Sequence, residues 1–278
     1  MADDKHPEFK YYEYDPSIAA ACTFAVIFGL LTTWHMLLIV KHKTWYFIPL
    51  IVGGLFEFGG YVSRAVSHGQ GLHQTLVPYV VQTLLLLVAP PLFAATTYMF
   101  LGHLIVGLDR EAHSLIKKRW LAKTFVTSDI ICFIIQLGGA GLMASSTSST
   151  AATGSHIILA GLLLQIVIFG LFVAVAWMFQ RKMIGAPNSS SDRSTPHWTV
   201  YMRVLYATSA FILARNIVRV AEFILGFHGY ILLHEVFLYV FDAVPMAAFV
   251  ATYAVLYPTA FSTYARAAEM KEMPSRRA

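Results

Sequence analysis

The chain has 278 residues, of which 57% are hydrophobic and only 13% charged, whereas a soluble domain carries about a quarter charged residues. That composition, with a mean hydropathy of +0.62, excludes a soluble globular body. The net charge of +5 and isoelectric point near 9.1 would suit a nucleic-acid binder, but the basic residues are dispersed between apolar blocks, so no nucleic-acid partner is expected.

The apolar residues fall into seven blocks, 17–40, 44–67, 76–107, 121–144, 156–180, 199–226 and 231–257. Each is long enough for the roughly 20 residues that carry a helix across a bilayer. Continuous runs of this kind are not the short alternating strands of a membrane barrel, and backbone in hydrocarbon must bond within its own segment. The expected fold is therefore an all-α membrane protein, a seven-transmembrane helix bundle.

Residues 1–16 are polar, with Asp3, Asp4, Glu8, Glu13 and Asp15. They lack the basic start and short apolar run of a signal peptide, so the first block is expected to direct insertion itself. Block 76–107 exceeds one crossing, and Pro90 and Pro91 near its middle remove two backbone donors and favour a bend. The carbonyls so freed would face either helix packing or a polar interior. The connection 145–155, SSTSSTAATGS, reads as a flexible polar loop, and the connection 185–197 as another. Asn188-Ser189-Ser190 within the latter matches a glycosylation sequon, expected to be unused on the cytoplasmic side. Cys22 and Cys132 are the only cysteines; lying in separate helices, they form no metal-binding pair and are expected to be free thiols.

Orientation follows from the basic residues. Lys41 and Lys43 lie in the first connection, Arg110, Lys117, Lys118 and Arg119 in the third, Arg181, Lys182 and Arg193 in the fifth, and Arg266, Lys271, Arg276 and Arg277 in the tail. The second, fourth and sixth connections have none, and the N-terminal tail has only Lys5 and Lys10. Thirteen against two is a positive-inside pattern. It divides the chain into an extracellular tail 1–16, a membrane domain 17–257 and a cytoplasmic tail 258–278.

The informative ionisable residues inside the blocks are Glu57, Arg64, Asp129, Arg215, Arg219, Glu222, Glu235 and Asp242. Each costs roughly 2.5–3.5 kcal/mol at mid-membrane, so they must face one another or a watered interior. Their spacing agrees. Glu57, Tyr61 and Arg64 stand at i, i+4 and i+7, as do Arg215, Arg219 and Glu222, and Glu235, Tyr239 and Asp242; Asp129 and Gln136 are seven apart. Residues so spaced share one helix face. The expectation is a polar chamber in the outer half, narrowing toward Asp129, which would be the proton-relay candidate. Glu57–Arg64 and Arg219–Glu222 are the simplest ion pairs. Arg219 is expected between Glu222 and Glu235, leaving Asp242 free for a ligand or proton, so that Asp242→Asn would spare abundance. Five acids against three arginines leave a surplus that suits a cationic ligand.

Six histidines, His6, His68, His73, His156, His228 and His234, fall toward the outer face. His73, His228 and His234 are weak metal candidates, but their spacing fits no ligand pattern, and no cofactor is expected.

The polar pieces resemble the fungal lipid-translocating exporter family, the seven-helix proteins related to the yeast aminocholesterol-resistance protein. They are Tyr14-Asp15-Pro16-Ser17; Glu57 through Gly60, Tyr61 and Arg64; Ala89-Pro90 through Ala95, with Tyr98; Asp129, Gln136 and Gly139; Gly161 and Gln165; Arg215, Arg219 and Glu222; and His234-Glu235, Tyr239 and Phe241-Asp242. The similarity spans Tyr14 to Tyr257. It implies a fungal protein of the plasma membrane, or of a vacuolar or other internal membrane. Its partners would be the bilayer and amphiphiles such as sphingoid long-chain bases, aminosterols or porphyrins, which it would translocate or confer resistance to. The translocation or binding set would be Glu57, Tyr61, Arg64, Asp129, Gln136, Arg215, Arg219, Glu222, Glu235, Tyr239 and Asp242. No Walker A sequence is present, so transport would draw on a proton gradient. Two alternatives remain: a seven-helix lipid receptor or sensor, without an NPxxY sequence or a Schiff-base lysine in the last helix, and a zinc-dependent intramembrane hydrolase, without HExxH. No catalytic residue is assigned, and the oligomeric state is open.

Overall fold

The structure is a computed structural model, and it describes residues 17–69, 76–107, 118–143, 148–185, 198–225 and 235–257. Seven helices in it are long and apolar enough to cross a membrane. They are α1 (Ile18–His42), α2 (Ile48–Gly69, entered through a 3-10 turn at Trp45–Phe47), α3 (Leu76–Gly107), α4 (Lys118–Met143), α5 (Ser148–Gly185), α6 (Trp198–Leu225) and α7 (Glu235–Val255). The chain is an integral membrane protein. Residues 186–197 with the sequon, and both tails, lie outside the described residues.

Sequence explains the helix ends where it is informative. Ser17 caps α1, its hydroxyl accepting from the Ala20 amide at 3.4 Å. Lys43 closes the helix in the left-handed region at φ 53°, the conformation that ends many helices. Hydroxyls inside the helices bond to the carbonyl one turn back, as Thr96 does to Leu92 at 3.0 Å, Thr97 to Phe93 at 3.2 Å and Thr252 to Ala248 at 2.7 Å. Such self-contained bonds are what a hydrocarbon medium requires.

Each helix packs on its chain neighbours, α1 closes on α7, and α3 also meets α6. Helix α3 is thus central, with 61% of its membrane window buried against 28% for α1. Its Phe93 stacks on Phe249 of α7 at 5.0 Å between centroids. The outer surface is apolar: Val26, Leu30, Trp34 and Leu37 run down one face of α1, each more than half exposed. In water that stripe would be an aggregation site; in a bilayer it is the lipid contact. Near one end of α5, the Arg181 guanidinium lies 4.7 Å from the Trp177 ring, an amphipathic pair of the kind that seats a helix at the membrane surface.

One expectation about an element needs correction. The stretch 145–155 is not a loop throughout, because α5 begins at Ser148 and runs for 38 residues. The reason is a seam of small residues. A Cβ on Gly154 would lie 2.5 Å from the Gly139 carbonyl oxygen, and one on Gly139 would lie 2.8 Å from that of Gly154, so α4 and α5 approach backbone to backbone. That packing keeps the polar, alanine-containing stretch helical. Helix α3 runs unbroken through Pro90 and Pro91 over the expected 76–107.

Gly154→Val should therefore lower the melting temperature of the detergent-purified protein, at an overpacking cost of about 1–3 kcal/mol. Gly138→Val, where an added Cβ meets nothing within 4 Å, should leave it nearly unchanged. Equal melting temperatures for the two variants would dismiss the seam.

Candidate functional site

The polar stripes of α2, α6 and α7 face one another. Helices α2 and α7 run in opposite directions, so Arg64 stands level with Glu235 and Glu57 is placed toward the level of Asp242. Seven residues separate Glu57 from Arg64 and Glu235 from Asp242, or about 10 Å at about 1.5 Å per residue.

The first layer centres on Glu235. Arg64 donates to it from Nη2 at 2.7 Å and from Nε at 3.2 Å. Tyr239 Oη donates to Glu235 at 3.1 Å and accepts from Arg64 Nε at 3.1 Å. The Ser17 amide, at the cap of α1, also donates to the Glu235 carboxylate, at 2.8 and 3.0 Å. One carboxylate thus ties together the start of α1, the end of α2 and the start of α7. Arg64 is 1% exposed, a burial that only such pairing makes tolerable.

The second layer centres on Asp242. Arg215 donates to its Oδ1, and Arg219 to its Oδ2 at 2.5 Å. Arg219 also reaches Glu222 one turn away at 3.1 Å. Arg215 uses its Nη2 for the carbonyl of Leu86 on α3, at 2.8 Å. Leu86 is four residues before Pro90, so its carbonyl is the one whose helical donor the proline ring removes. The proline leaves a bare acceptor at the layer's level and Arg215 takes it up, which decides between the two readings of Pro90 in favour of the polar interior. Gly60 on α2 permits the approach, since a Cβ there would lie 2.7 Å from the Leu86 side chain.

Asp242 sits in a π-helical stretch, Tyr239–Ala243, in which the Val244 amide reaches back five residues to the Tyr239 carbonyl. Pro245, just beyond, cannot donate to the carbonyl of Phe241 four residues earlier. The widened turn accommodates that loss, and such turns recur at functional sites.

Glu57 stands beside the second layer, and Tyr61 lies one turn from it toward the first. Both are buried, at 1% and 0% exposure, and neither carboxylate oxygen of Glu57 nor the Tyr61 hydroxyl has a hydrogen-bond partner among the described residues. The charges whose fields reach Glu57 are those of Asp242, Arg215 and Arg219. Tyr61 is walled by Phe24, Phe28 and Tyr239, with ring centroids 5.6, 5.8 and 6.1 Å away.

These contacts correct the expected pairing. Arg64 pairs with Glu235, not with Glu57; Arg219 is held between Glu222 and Asp242, not between Glu222 and Glu235; Asp242 is shared by two arginines and is not free. The reason is register. Antiparallel α2 and α7 bring Arg64 to Glu235, which leaves the Asp242 level to the arginines of α6. Among the described residues, Glu57 is the membrane acid with neither oxygen engaged.

Asp129 and Gln136 are not brought to this cluster. Helix α4 packs on α3 and α5. Asp129 Oδ2 accepts from Tyr98 Oη at 2.9 Å, and Gln136 donates to Gln165 of α5 at 3.0 Å. Tyr98 lies twelve residues beyond Leu86 on α3, about 18 Å further along the helix at about 1.5 Å per residue. A chamber narrowing onto Asp129 is therefore not what the contacts describe, although Asp129 Oδ1 is itself unpartnered among the described residues. No group of three or more His, Cys, Asp or Glu residues able to hold a metal occurs among the described residues; His73, His228 and His234 lie outside them. Cys22 is exposed, Cys132 is buried, and both are free.

Three polar groups were not legible as part of the interior: the Leu86 carbonyl, which only its place before Pro90 marks, and Thr32 and His35 in the middle of α1. The last two are 1% and 0% exposed. A lone histidine inside an otherwise uncharged span was the available signal.

The model of the RTA1 like protein family matches residues 50–264, a stretch that includes most of α2 and all of α7 and so most of the paired layers. Among curated proteins of Saccharomyces cerevisiae, Protein RTM1 is 38% identical over 227 residues, covering 81% of this chain and 72% of its own length. Protoporphyrin uptake protein 1 is 34% identical over 282 residues, covering 89% and 91%. The sphingoid long-chain base transporter RSB1 is 25% identical over 276 residues, covering 87% and 72%. No solved structure matches. Two of these names are tied to the uptake or transport of amphiphilic small molecules. On the extent of the family match and on relatives aligned along most of its length, the chain belongs to the RTA1-like family of membrane proteins.

Proposed function

We propose that the chain carries amphiphiles with a cationic head across the membrane, sphingoid long-chain bases first among them, and that Glu57 receives the head. The observation behind this is the distribution of partners. Each of the three interior arginines has an acid partner, while Glu57 is buried with neither oxygen engaged among the described residues. A carboxylate so placed is costly unless a cation meets it, and an ammonium on a lipid tail would supply one. Tyr61, one turn away, would accept from the same ammonium. In this reading Arg64, Glu235 and Tyr239, with Arg215, Arg219, Glu222 and Asp242, hold the frame around the head. Asp129 and Gln136 serve the α3–α4–α5 side. Relatives named for a sphingoid-base transporter and a protoporphyrin uptake protein support a carrier of amphiphiles over a hydrolase.

Access would be past Glu222, Glu235 and Arg219, whose side chains keep 11%, 14% and 23% exposure, to Glu57, which is buried. The charge distribution supports placing that layer toward the outside, with residues 1–16 extracellular, residues 258–278 cytoplasmic and the plasma membrane as the site of action. A seven-helix sensor would bind the same base without moving it, and vesicle experiments separate the two.

In proteoliposomes, the wild-type protein should bind dihydrosphingosine and speed its passage between leaflets. Glu57→Gln should keep normal expression and weaken binding about ten- to a hundredfold, the loss of a charge-assisted contact of roughly 1.5–3 kcal/mol. Unaltered binding by well-folded Glu57→Gln protein would refute the assignment; binding without passage would leave a sensor.

Asp242→Asn should behave differently. It strips the shared partner from Arg215 and Arg219, and breaking such a buried set typically costs about 3–5 kcal/mol. The monodisperse peak of a fluorescent fusion in size-exclusion chromatography should fall sharply, for Asp242→Asn and for Arg215→Ala alike. Normal peaks for both would mean that the second layer does not support the fold.

Orientation is checked with single cysteines in a background lacking Cys22 and Cys132. A cysteine at Ser191 should resist a membrane-impermeant maleimide in intact cells, and one at Ser146 should react. The opposite pattern would reverse the topology.

A further inference from the structure

We infer that movement of the base is coupled to protons through a file of polar groups running from Glu57 along α1 to the basic end of the bundle, with Thr32 and His35 as its carriers. The inference rests on the reading of Glu57 above and adds the route the protons take. Tyr61, Glu57, Thr32 and His35 each keep a buried polar atom with no partner among the described residues: Tyr61 Oη, both oxygens of Glu57, Thr32 Oγ1 and His35 Nδ1. All four residues are at most 1% exposed. They succeed one another in space. Tyr61 and Glu57 are one turn apart on α2. Gly54 is the next turn, and the Thr32 hydroxyl of α1 packs where a Cβ on Gly54 would stand. Thr32 and His35 are one turn apart on α1.

The tautomer of His35 is fixed by its neighbour. Its Nε2 lies 3.0 Å from the carbonyl oxygen of Val250 on α7, and a carbonyl only accepts, so Nε2 carries the hydrogen and Nδ1 keeps its lone pair. That lone pair, buried and unpartnered among the described residues, is a proton acceptor in the middle of the membrane. Beyond it, the Tyr257 ring lies 6.1 Å from His35 and 5.6 Å from His42, and the Tyr257 hydroxyl is hydrogen-bonded with Thr44. That end of α1 carries Lys41, His42 and Lys43. The file thus joins the ion layers to the basic face. The charged and titratable groups facing Glu57 are Tyr61 on its own helix, Asp242 on α7, and Arg215 and Arg219 on α6. The titratable group facing His35 is Tyr257, and its hydrogen-bond acceptor is the uncharged Val250 carbonyl.

The exchange balances. The base arrives as an ammonium, and Glu57 yields its proton and becomes the carboxylate that pairs with it. None of these atoms is within hydrogen-bond reach of the next, so intervening waters carry that proton to the Thr32 hydroxyl, which passes its own through a further water to Nδ1 of His35. The imidazolium keeps its Nε2 hydrogen on Val250 and releases the proton toward Tyr257 and Thr44. One proton leaves for each ammonium that enters, so the buried charge of the site is unchanged, which is how a closed bundle can admit a cation without paying for a second charge.

The test uses the full-length protein in liposomes containing pyranine, with the membrane voltage clamped by potassium and valinomycin. Dihydrosphingosine added to wild-type vesicles should start a proton flux. Thr32→Val, nearly isosteric, and His35→Gln, which keeps a donor for Val250, should bind the base with unchanged affinity and show no flux above protein-free vesicles. If the wild-type protein binds no base, the reading of Glu57 falls. The file is then judged on the voltage-driven proton leak through the protein, which the same variants must abolish. Wild-type proton movement in folded Thr32→Val protein, or base transfer by the wild-type protein without any proton flux, would overturn the inference.

Discussion

The interior of this protein is governed by the cost of an unpaired charge in an apolar bundle. The three paired arginines, Arg64, Arg215 and Arg219, and four of the five membrane acids are distributed over α2, α6 and α7, and an exposed or solitary member at mid-membrane would oppose insertion by several kcal/mol. The pairing that results fixes which helices are neighbours. Glu235 holds Arg64, Tyr239 and the Ser17 amide, so α1, α2 and α7 must meet at one level. Asp242 holds Arg215 and Arg219, so α6 must meet α7 one layer deeper. The helices are not held by hydrophobic burial alone, because lipid offers apolar surface as good as any other helix does. The ion layers and the glycine contacts supply the specificity that hydrophobicity cannot.

Proline has an unusual part in that arrangement. Inside a soluble helix, Pro90 would be a defect that leaves the Leu86 carbonyl without its donor. Here the carbonyl becomes an acceptor for Arg215, which already uses another nitrogen on Asp242. A guanidinium has five donors, and a single aspartate cannot occupy them in a medium without water. The backbone of α3 therefore completes the coordination of Arg215, and the π-turn that carries Asp242 has a related part in α7. Both irregular backbones lie where the charges are, which is where irregular backbone is tolerated at membrane depth.

The seven helices were legible because length and hydropathy are local properties of the chain, and α1, α2, α3 and α6 run within a few residues of their expected limits. The polar stripes were legible because the 3.6-residue period places Glu57, Tyr61 and Arg64 on one face whatever that face meets. What the period cannot reveal is the partner across the gap. Register between antiparallel helices depends on connections and small-residue contacts, so Glu57–Arg64 and Arg219–Glu235 were reasonable pairings and the wrong ones. The start of α5 was missed for a similar reason: Ser148 to Ser155 is polar enough to be a loop, and only its contact with Gly139 keeps it helical. Asp129 looked like part of the common interior because its cost is the same as that of the others. The direction α4 faces is a tertiary fact, and Tyr98 rather than an arginine answers it.

The two layers differ in how firmly they are held, and that difference bears on movement. Glu235 accepts four hydrogen bonds from Ser17 and Arg64 together, besides the one from Tyr239 on its own helix, so the first layer behaves as a rivet. Arg219 is divided between Glu222 on its own helix and Asp242 across the interface, and it is the most exposed of the paired side chains, at 23%. If Arg219 leaves Asp242, it keeps Glu222, and Asp242 keeps Arg215; neither charge is abandoned. The outer part of the α6–α7 contact can therefore loosen at a cost set by one shared bond, whereas a full parting of the two helices would also break Arg215–Asp242 and strand that carboxylate. Parting α2 from α7 would instead separate Arg64 from Glu235 and from Tyr239 at once. The end of α6 that carries Arg219 and Glu222 is thus the place where an ion layer can give way first, with Arg215 still holding Asp242.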